Sequence, residues 1–179
     1  MPDPFAEFVE TYYRAAYNFA FSLSGNHADA ADITQQAFYI AQKKSDQLRD
    51  PSKRKQWLFT ILHREFLRTR RRAGRDQKHE QELKDAEQPP TYVDQATSID
   101  GKAVVALLSS LDEIFRAPVG LFYFDQLSYR EIAEVLDVPI GTVMSRLARG
   151  KRMLRQLIEG APANQAANIV PMDGGQAHG

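Results

Sequence analysis

Residues 128–152 read SYREIAEVLDVPIGTVMSRLARGKR, and the order of acids, turn and bases in them governs how the remaining chain is read. Glu131 and Glu134 precede the turn and Asp137 opens it, whereas Arg146, Arg149, Lys151 and Arg152 follow it. Ser128 and Glu131 have the spacing of a capping box, in which the hydroxyl takes an orphan helix amide and the glutamate reaches back to the cap. Ile132, Ala133 and Leu136 share the inward face of the first helix, and the small Ala133 allows a second helix to cross closely. Asp137 to Gly141 form the turn. Val138 plugs the hairpin, and Asp137 takes a left-handed position that aspartate tolerates better than most residues. The second helix starts at Thr142, with Val143 and Leu147 inward and Met144, Ser145, Arg146 and Arg149 outward. This is a helix-turn-helix, whose second helix enters a major groove. The first helix supports the hairpin core while the second meets phosphates and base edges, where acids would be repelled. A plain helical hairpin would require neither the capping box nor the basic continuation.

The surrounding charge supports that reading. The 179 residues carry 23 Lys/Arg and 23 Asp/Glu, so the net charge of zero argues by itself against a nucleic-acid binder. The distribution argues for one. From Arg49 to Arg75 there are ten cations and two acids, and from Arg146 to Arg155 five cations and no acid. Between these blocks, Asp76 to Asp100 holds seven acids against two lysines. Two basic faces separated by an acidic connector make a patterned polyampholyte that net charge conceals.

The remaining composition sets bounds. Apolar residues at 43% and charged residues at 26% describe a folded domain or two small ones. The absence of cysteine excludes disulfides, thiolate metal sites and a cysteine nucleophile. The four histidines (His27, His63, His79 and His178) are scattered without metal-ligand spacing, so neither a metal nor a cofactor is expected. No apolar run approaches the roughly 18 residues that span a bilayer. The start MPDPFAEFVE is acidic and unlike a secretory signal, so a cytoplasmic protein without membrane insertion is expected.

Helical periodicity fills both ends of the molecule. Phe5, Phe8, Val9, Tyr12, Tyr13, Ala16, Phe19, Ala20 and Leu23 form one apolar stripe, ended by Ser24-Gly25-Asn26. A second helix is expected from about Asp29 to Lys44, with Ile33, Phe38 and Ala41 inward. RDPSKRK (49–55) reads as a loop because Pro51 resists helix. A third helix, 57–72, turns Trp57, Ile61, Leu62 and Phe66 inward. The expected architecture is all-α: a helical domain at 1–75, a flexible acidic linker at 76–99, a helix-turn-helix domain at 100–159, and a disordered tail at 160–179.

Residues 127–154, LSYREIAEVLDVPIGTVMSRLARGKRML, resemble the minus-thirty-five-reading domain of extracytoplasmic-function sigma factors, the compact two-domain bacterial sigma factors. DAADITQQAFYIAQ (29–42) resembles their polymerase-clamp segment, and WLFTILHREFLRTRRR (57–72) their minus-ten-reading helix. The resemblance covers residues 5–159 and implies a monomeric alternative sigma factor without enzymatic activity. Its partners would be core RNA polymerase, promoter DNA, and an anti-sigma factor or other regulator. Asp29, Asp32, Gln35 and Gln36 would meet polymerase. Arg49, Lys53, Arg54, Lys55, Trp57, Arg64, Arg68 and Arg71 would face the minus-ten element, with Arg70 and Arg72 on backbone phosphates. Thr142, Met144, Ser145, Arg146, Arg149 and Lys151 would face the minus-thirty-five element, Thr142 and Lys151 at phosphates.

Departures from the family pattern add expectations. Gln36 stands where an acid is usual and Ala31 where another is common, so attraction to a basic clamp is reduced. Thr34, between Asp32 and Gln36, is a position where phosphorylation would restore negative charge. Arg64 replaces a usual asparagine, Arg68 a usual aspartate and Met144 a frequent lysine. An ordinary helix-turn-helix regulator would leave the clamp-like segment and acidic linker unexplained. A nucleic-acid enzyme lacks a paired-carboxylate or metal signature, and a sigma-like protein that binds only a regulator rests on Gln36 alone.

Overall fold

The computed structural model describes residues 3–76, 107–123 and 125–159. Among these the regular elements are helices: α1 (Pro4–Ser24), α2 (His27–Lys43), α3 (Arg54–Asp76), α4 (Glu113–Tyr123), α5 (Tyr129–Leu136) and α6 (Ile140–Glu159), with 3-10 turns at Ser45–Gln47 and Pro51–Lys53. The expected acidic linker, apart from Asp76, and the expected tail lie outside the described residues.

Local chemistry sets the helix ends. Asp3 accepts the Phe5 amide at 3.0 Å, and Pro4 opens α1 where its missing N–H is not needed. Gly25, at φ 74°, closes α1 in the left-handed region and returns its amide to the Phe21 carbonyl. Asn26 then caps α2 by accepting the Asp29 amide at 2.7 Å, so this helix starts two residues before the expected Asp29. The expected loop 49–55 is also partly helical. Asp50 accepts both the amide (2.9 Å) and hydroxyl (2.7 Å) of Ser52, which folds Pro51–Lys53 into a 3-10 turn leading directly into α3. These hydrogen bonds hold the Asp50 carboxyl below its usual range. Pro51 resists helix only for the residue before it; as a first turn residue it favours one.

Phe8, Ala16, Phe19, Ala20 and Leu23 of α1 are buried against Ile33, Ala37, Phe38 and Ala41 of α2 and Leu58, Phe59, Ile61, Leu62 and Phe66 of α3. Phe19 meets Phe59 at a centroid distance of 5.3 Å. Two expectations change here. Tyr13 is 48% exposed, because its ring stacks along the outer edge of Phe38 and Tyr17. Trp57 is half-buried and packs on the rim of the core rather than within it.

In the second group, Phe115, Val119 and Leu121 of α4 close over Ile132, Val135 and Leu136 of α5 and Val143 and Leu147 of α6. Gly150 makes the α4–α6 crossing possible, since a Cβ there would lie 2.6 Å from Val119 Cγ2. The two groups are not separate bodies. α1 packs on α4 and α3 packs on α5, so one cluster of buried side chains runs through both.

Candidate nucleic-acid interface

The helix-turn-helix has the geometry its sequence requires. Glu131 N–H donates to Ser128 Oγ at 3.3 Å while the Ser128 amide donates to Glu131 Oε2 at 2.8 Å, completing the capping box. Asp137 takes φ 53° and ψ 51°, and the Val138 amide returns to the Ala133 carbonyl at 3.1 Å. The recognition helix starts at Ile140, two residues before the expected Thr142, because the Thr142 and Val143 amides bond to the Pro139 carbonyl. Ala133 and Val138 are half-buried at the hairpin rim.

On α6, Met144, Ser145 and Arg149 are exposed, while Thr142 and Arg146 are half-buried. Ser145 and Arg149 are four residues, about 1.1 helical turns, apart, so the two project from the same side of the rod. Lys151 has a different environment from the expected phosphate contact. Its ammonium sits 4.4 Å from the Phe122 ring centroid and 5.4 Å from that of Tyr123, a cation–π site on α4.

The cations of the first group divide into three directions along α3. Arg64 and Arg71 are exposed and stand seven and fourteen residues beyond Trp57, so these three define one outward stripe. Arg49 and Lys53 are exposed ahead of it, and Arg54 is half-buried with its guanidinium over the Phe8 ring. Arg68 turns elsewhere. With Glu65, Thr69 and Arg72 it lines a groove whose opposite wall is Asp29, Asp32, Gln35, Gln36 and Tyr39 of α2, and it pairs with Glu65 at 3.4 Å. The structure thus brings the four expected polymerase-facing residues together and adds Arg68 and Arg72 to their groove. Lys55 takes the third direction, donating to the Asp125 carbonyl across to the second group.

Beside that contact lies a buried carboxyl. Asp125 is 1% exposed and neither of its carboxylate oxygens has a hydrogen-bond partner. Burial pushes its pKa up to about 8, against the opposing charge of Lys55. On α3, burial depresses His63 to about 4, helped by the neighbouring Arg64 charge. Among the described residues no three His, Asp or Glu side chains converge to hold a metal ion, and no helix is long and apolar enough to cross a membrane.

Comparison with known proteins places this geometry. The description Sigma-70 region 2 matches residues 8–76, and Sigma-70 region 4 matches residues 101–154. The ECF RNA polymerase sigma factor SigW of Bacillus subtilis is 30% identical over 165 residues, covering 86% of this chain and 88% of that protein. The chain belongs to the extracytoplasmic-function sigma factors. The family's SigE from Mycolicibacterium smegmatis is 36% identical over 156 residues, covering 85% of this chain and 60% of its own length. Among solved structures, the sigma factor RpoE in complex with the anti-sigma factor NepR from Bartonella quintana has a TM-score of 0.67 at 29% identity, covering 88% of this chain and 98% of that one. CnrH in complex with the cytosolic domain of CnrY shares the fold, with a TM-score of 0.62 at 23% identity and coverage of 88% and 89%.

For a sigma factor of this type one expectation fails outright. Thr34 is fully buried, and its hydroxyl donates to the Ala30 carbonyl at 2.7 Å. A phosphate there would have no room without unfolding α2, so Thr34 is not a phosphorylation site. The position misled because threonine reads as polar in a helical wheel while its methyl packs and its hydroxyl satisfies itself on the preceding turn. Sequence reasoning also missed Gln56, Glu113, Arg116 and Glu134, which join the two helical groups. No periodic signal marks them, because each acts across a gap of dozens of residues.

Proposed function

We propose that this sigma factor directs core RNA polymerase to promoters through two reading surfaces and one docking groove. α6 reads the minus-thirty-five duplex: Ser145, Arg146 and Arg149 address base edges, Met144 offers an apolar contact suited to a thymine methyl, and Thr142 meets a phosphate. The groove between α2 and α3, with Asp29, Asp32, Gln35 and Gln36, receives the polymerase clamp. Trp57, Arg64 and Arg71, preceded by Arg49, Lys53 and Arg54, take the opened minus-ten strand, whose phosphates need cations and whose bases need a flat apolar surface. Arg68 acts in the groove as well as near that strand. The domain boundaries that fit this reading are 1–75, 76–99, 100–159 and 160–179. The protein works in the cytoplasm as a monomer, by binding rather than by catalysing a reaction. An anti-sigma factor is its natural regulator, as for the RpoE of Bartonella quintana, solved in complex with the anti-sigma factor NepR.

The observation that carries this reading is the capped helix-turn-helix with Ser145 and Arg149 bare on the outer side of α6. Run-off transcription with core polymerase tests it. The chain should confer start-site-specific transcripts, and Arg149→Ala should relax preference at one upstream base by roughly 1–3 kcal/mol. An ordinary helix-turn-helix regulator would bind DNA and yield no such transcript. Unchanged preference at every upstream base in Arg149→Ala would remove α6 as the reader.

A further inference from the structure

Lys151 lies in the half of α6 beyond the reading residues, and its helical phase separates it from them. Each residue turns an α-helix by about 100°, so Lys151 stands about 200° from Arg149 and about 180° from Thr142. It shares its side instead with the buried Leu147, one turn earlier. That side faces α4, where the bare Gly150 brings the two helices close.

The surface that receives the lysine is aromatic. Phe122 and Tyr123 end α4 and meet edge to face at 5.1 Å. Phe122 also packs at 5.5 Å against Tyr129, the first residue of α5. The Lys151 ammonium lies 4.4 Å from the Phe122 centroid and 5.4 Å from that of Tyr123. One aromatic group therefore joins the end of α4, the start of the supporting helix α5 and, through the cation, α6. Half-burial strengthens the attraction, because less water competes for the charge. Val143 and Leu147 anchor the first half of α6. Beyond them Gly150 sets the distance to α4, but it has no side chain to resist rotation of the rod. Lys151 supplies that resistance.

We propose that Lys151 is a positioning residue for promoter reading: its seat on Phe122 and Tyr123 sets the rotation of α6 and so aims Ser145, Arg146 and Arg149 at base edges. This rests on the promoter-reading function given above. The role differs in kind from a phosphate contact. A phosphate contact adds affinity at every sequence and releases a counterion, whereas an aiming contact adds affinity only where base edges match. Without the seat α6 is rotated off the base edges for part of the time, and apparent affinity for the matched element falls by that fraction.

Variants at both ends of the contact test it in holoenzyme. Lys151→Met keeps the unbranched stem and removes the charge, Phe122→Leu removes the ring and leaves the charge, and Lys151→Arg keeps a cation for the rings. Run-off transcription with core polymerase compares a promoter with copies substituted across the minus-thirty-five element. Lys151→Met and Phe122→Leu should each reduce discrimination by about fivefold, the weight of one such contact, and the double variant should lose no more than either. Lys151→Arg should restore it, and holoenzyme binding to promoter should keep its salt slope in all three variants. An equal loss on every template, a slope shallower by about one in Lys151→Met and no effect of Phe122→Leu would overturn the proposal in favour of a phosphate contact. Lower urea midpoints with unchanged discrimination would also overturn it. Should the variants fail to fold, lysine acylation of the unmodified protein, read by mass spectrometry, decides. Lys151 should react more slowly than the exposed Lys53 in the free chain, and at an unchanged rate when promoter is added to holoenzyme. Protection of Lys151 by promoter refutes the seat. No promoter-specific transcript from the unmodified chain would be failure of the promoter-reading function itself, and acylation of the free chain still reports whether the seat exists.

Discussion

The Arg116 guanidinium and the Leu23 carbonyl meet at 3.0 Å, joining the start of α4 to the end of α1. The same side chain donates to the Leu111 carbonyl at 2.7 Å and the Ser109 carbonyl at 3.1 Å. It therefore satisfies the C-terminal end of one helix and the segment leading into another. Truncation would strand several partly buried acceptors. Arg116→Ala should lower unfolding stability by about 2 kcal/mol, and Arg116→Lys should recover only part, since an ammonium lacks the planar fork. Urea titration followed at Trp57 checks both.

A second prediction uses the α4–α6 crossing. Gly150→Ala adds a Cβ 2.6 Å from Val119 Cγ2 and 3.5 Å from Phe115 Cβ. Alanine's helix propensity favours the change by roughly 1 kcal/mol, but overpacking costs about 1–3 kcal/mol, so a net loss is expected. Val119→Ala makes room for the new methyl. In a double-mutant cycle the pair should cost less than the sum of the two single changes. Additive costs would mean that α6 shifts away instead of pressing on Val119.

Two buried titrating groups set opposing slopes with pH. Asp125 ionises from 3.8 in an exposed setting but only near 8 when folded, so stability falls as pH rises through that window and levels off above it. His63 acts in reverse. The unfolded chain takes up a proton below 6.5 that the folded chain refuses until about 4, so stability falls as pH drops between these values. From about 4 to 6.5 the slopes cancel. Between 6.5 and 8 only Asp125 acts, removing about 2 kcal/mol. Urea midpoints at pH 6.5, 7.25 and 8 should therefore decline in the parent chain. The difference between the parent and Asp125→Asn should carry that decline; parallel pH profiles would contradict it.

Gln36 is half-buried in the docking groove, across from Arg68 and Arg72. Gln36→Glu keeps the side-chain length and adds one negative charge to the surface we propose for polymerase docking. Core affinity should rise severalfold at low salt, with a gain that shrinks as the Debye length falls to about 8 Å near physiological ionic strength. Part of the new charge will be spent on Arg68 and Arg72, so combining Gln36→Glu with Arg68→Ala should enlarge the gain. Competition binding of labelled protein to core polymerase measures both effects.

What the sequence disclosed was local. Ser128 with Glu131, and Asp137 with its left-handed backbone, are legible because the partners lie three to five residues apart and one residue type suits each position. The inward faces of α1, α2 and α3 followed from periodicity for the same reason. The charge pattern marks Lys55, Arg68 and Lys151 as cations facing DNA, yet their surroundings are an Asp125 carbonyl, an acidic groove and an aromatic pair. A charge pattern gives the side of a helix but not what stands opposite it. Gln56 and Glu134 are 78 positions apart, and no spacing rule connects them.

The length of α3 has a consequence of its own. Over 23 residues this one rod presents Arg68 and Arg72 to the α2 groove, Arg64 and Arg71 outward, and Gln56 and Arg70 to the second group. A substitution alters one of these directions and leaves the others in place. An insertion or deletion of a single residue does not, because it turns everything beyond it by about 100° and moves it about 1.5 Å along the axis. One codon gained near Ile61 would rotate Arg68 out of the groove, Arg71 off the outward stripe and Arg70 away from Glu113 at once. Natural variation in length should therefore spare α3, while changes of residue type accumulate on its three sides independently.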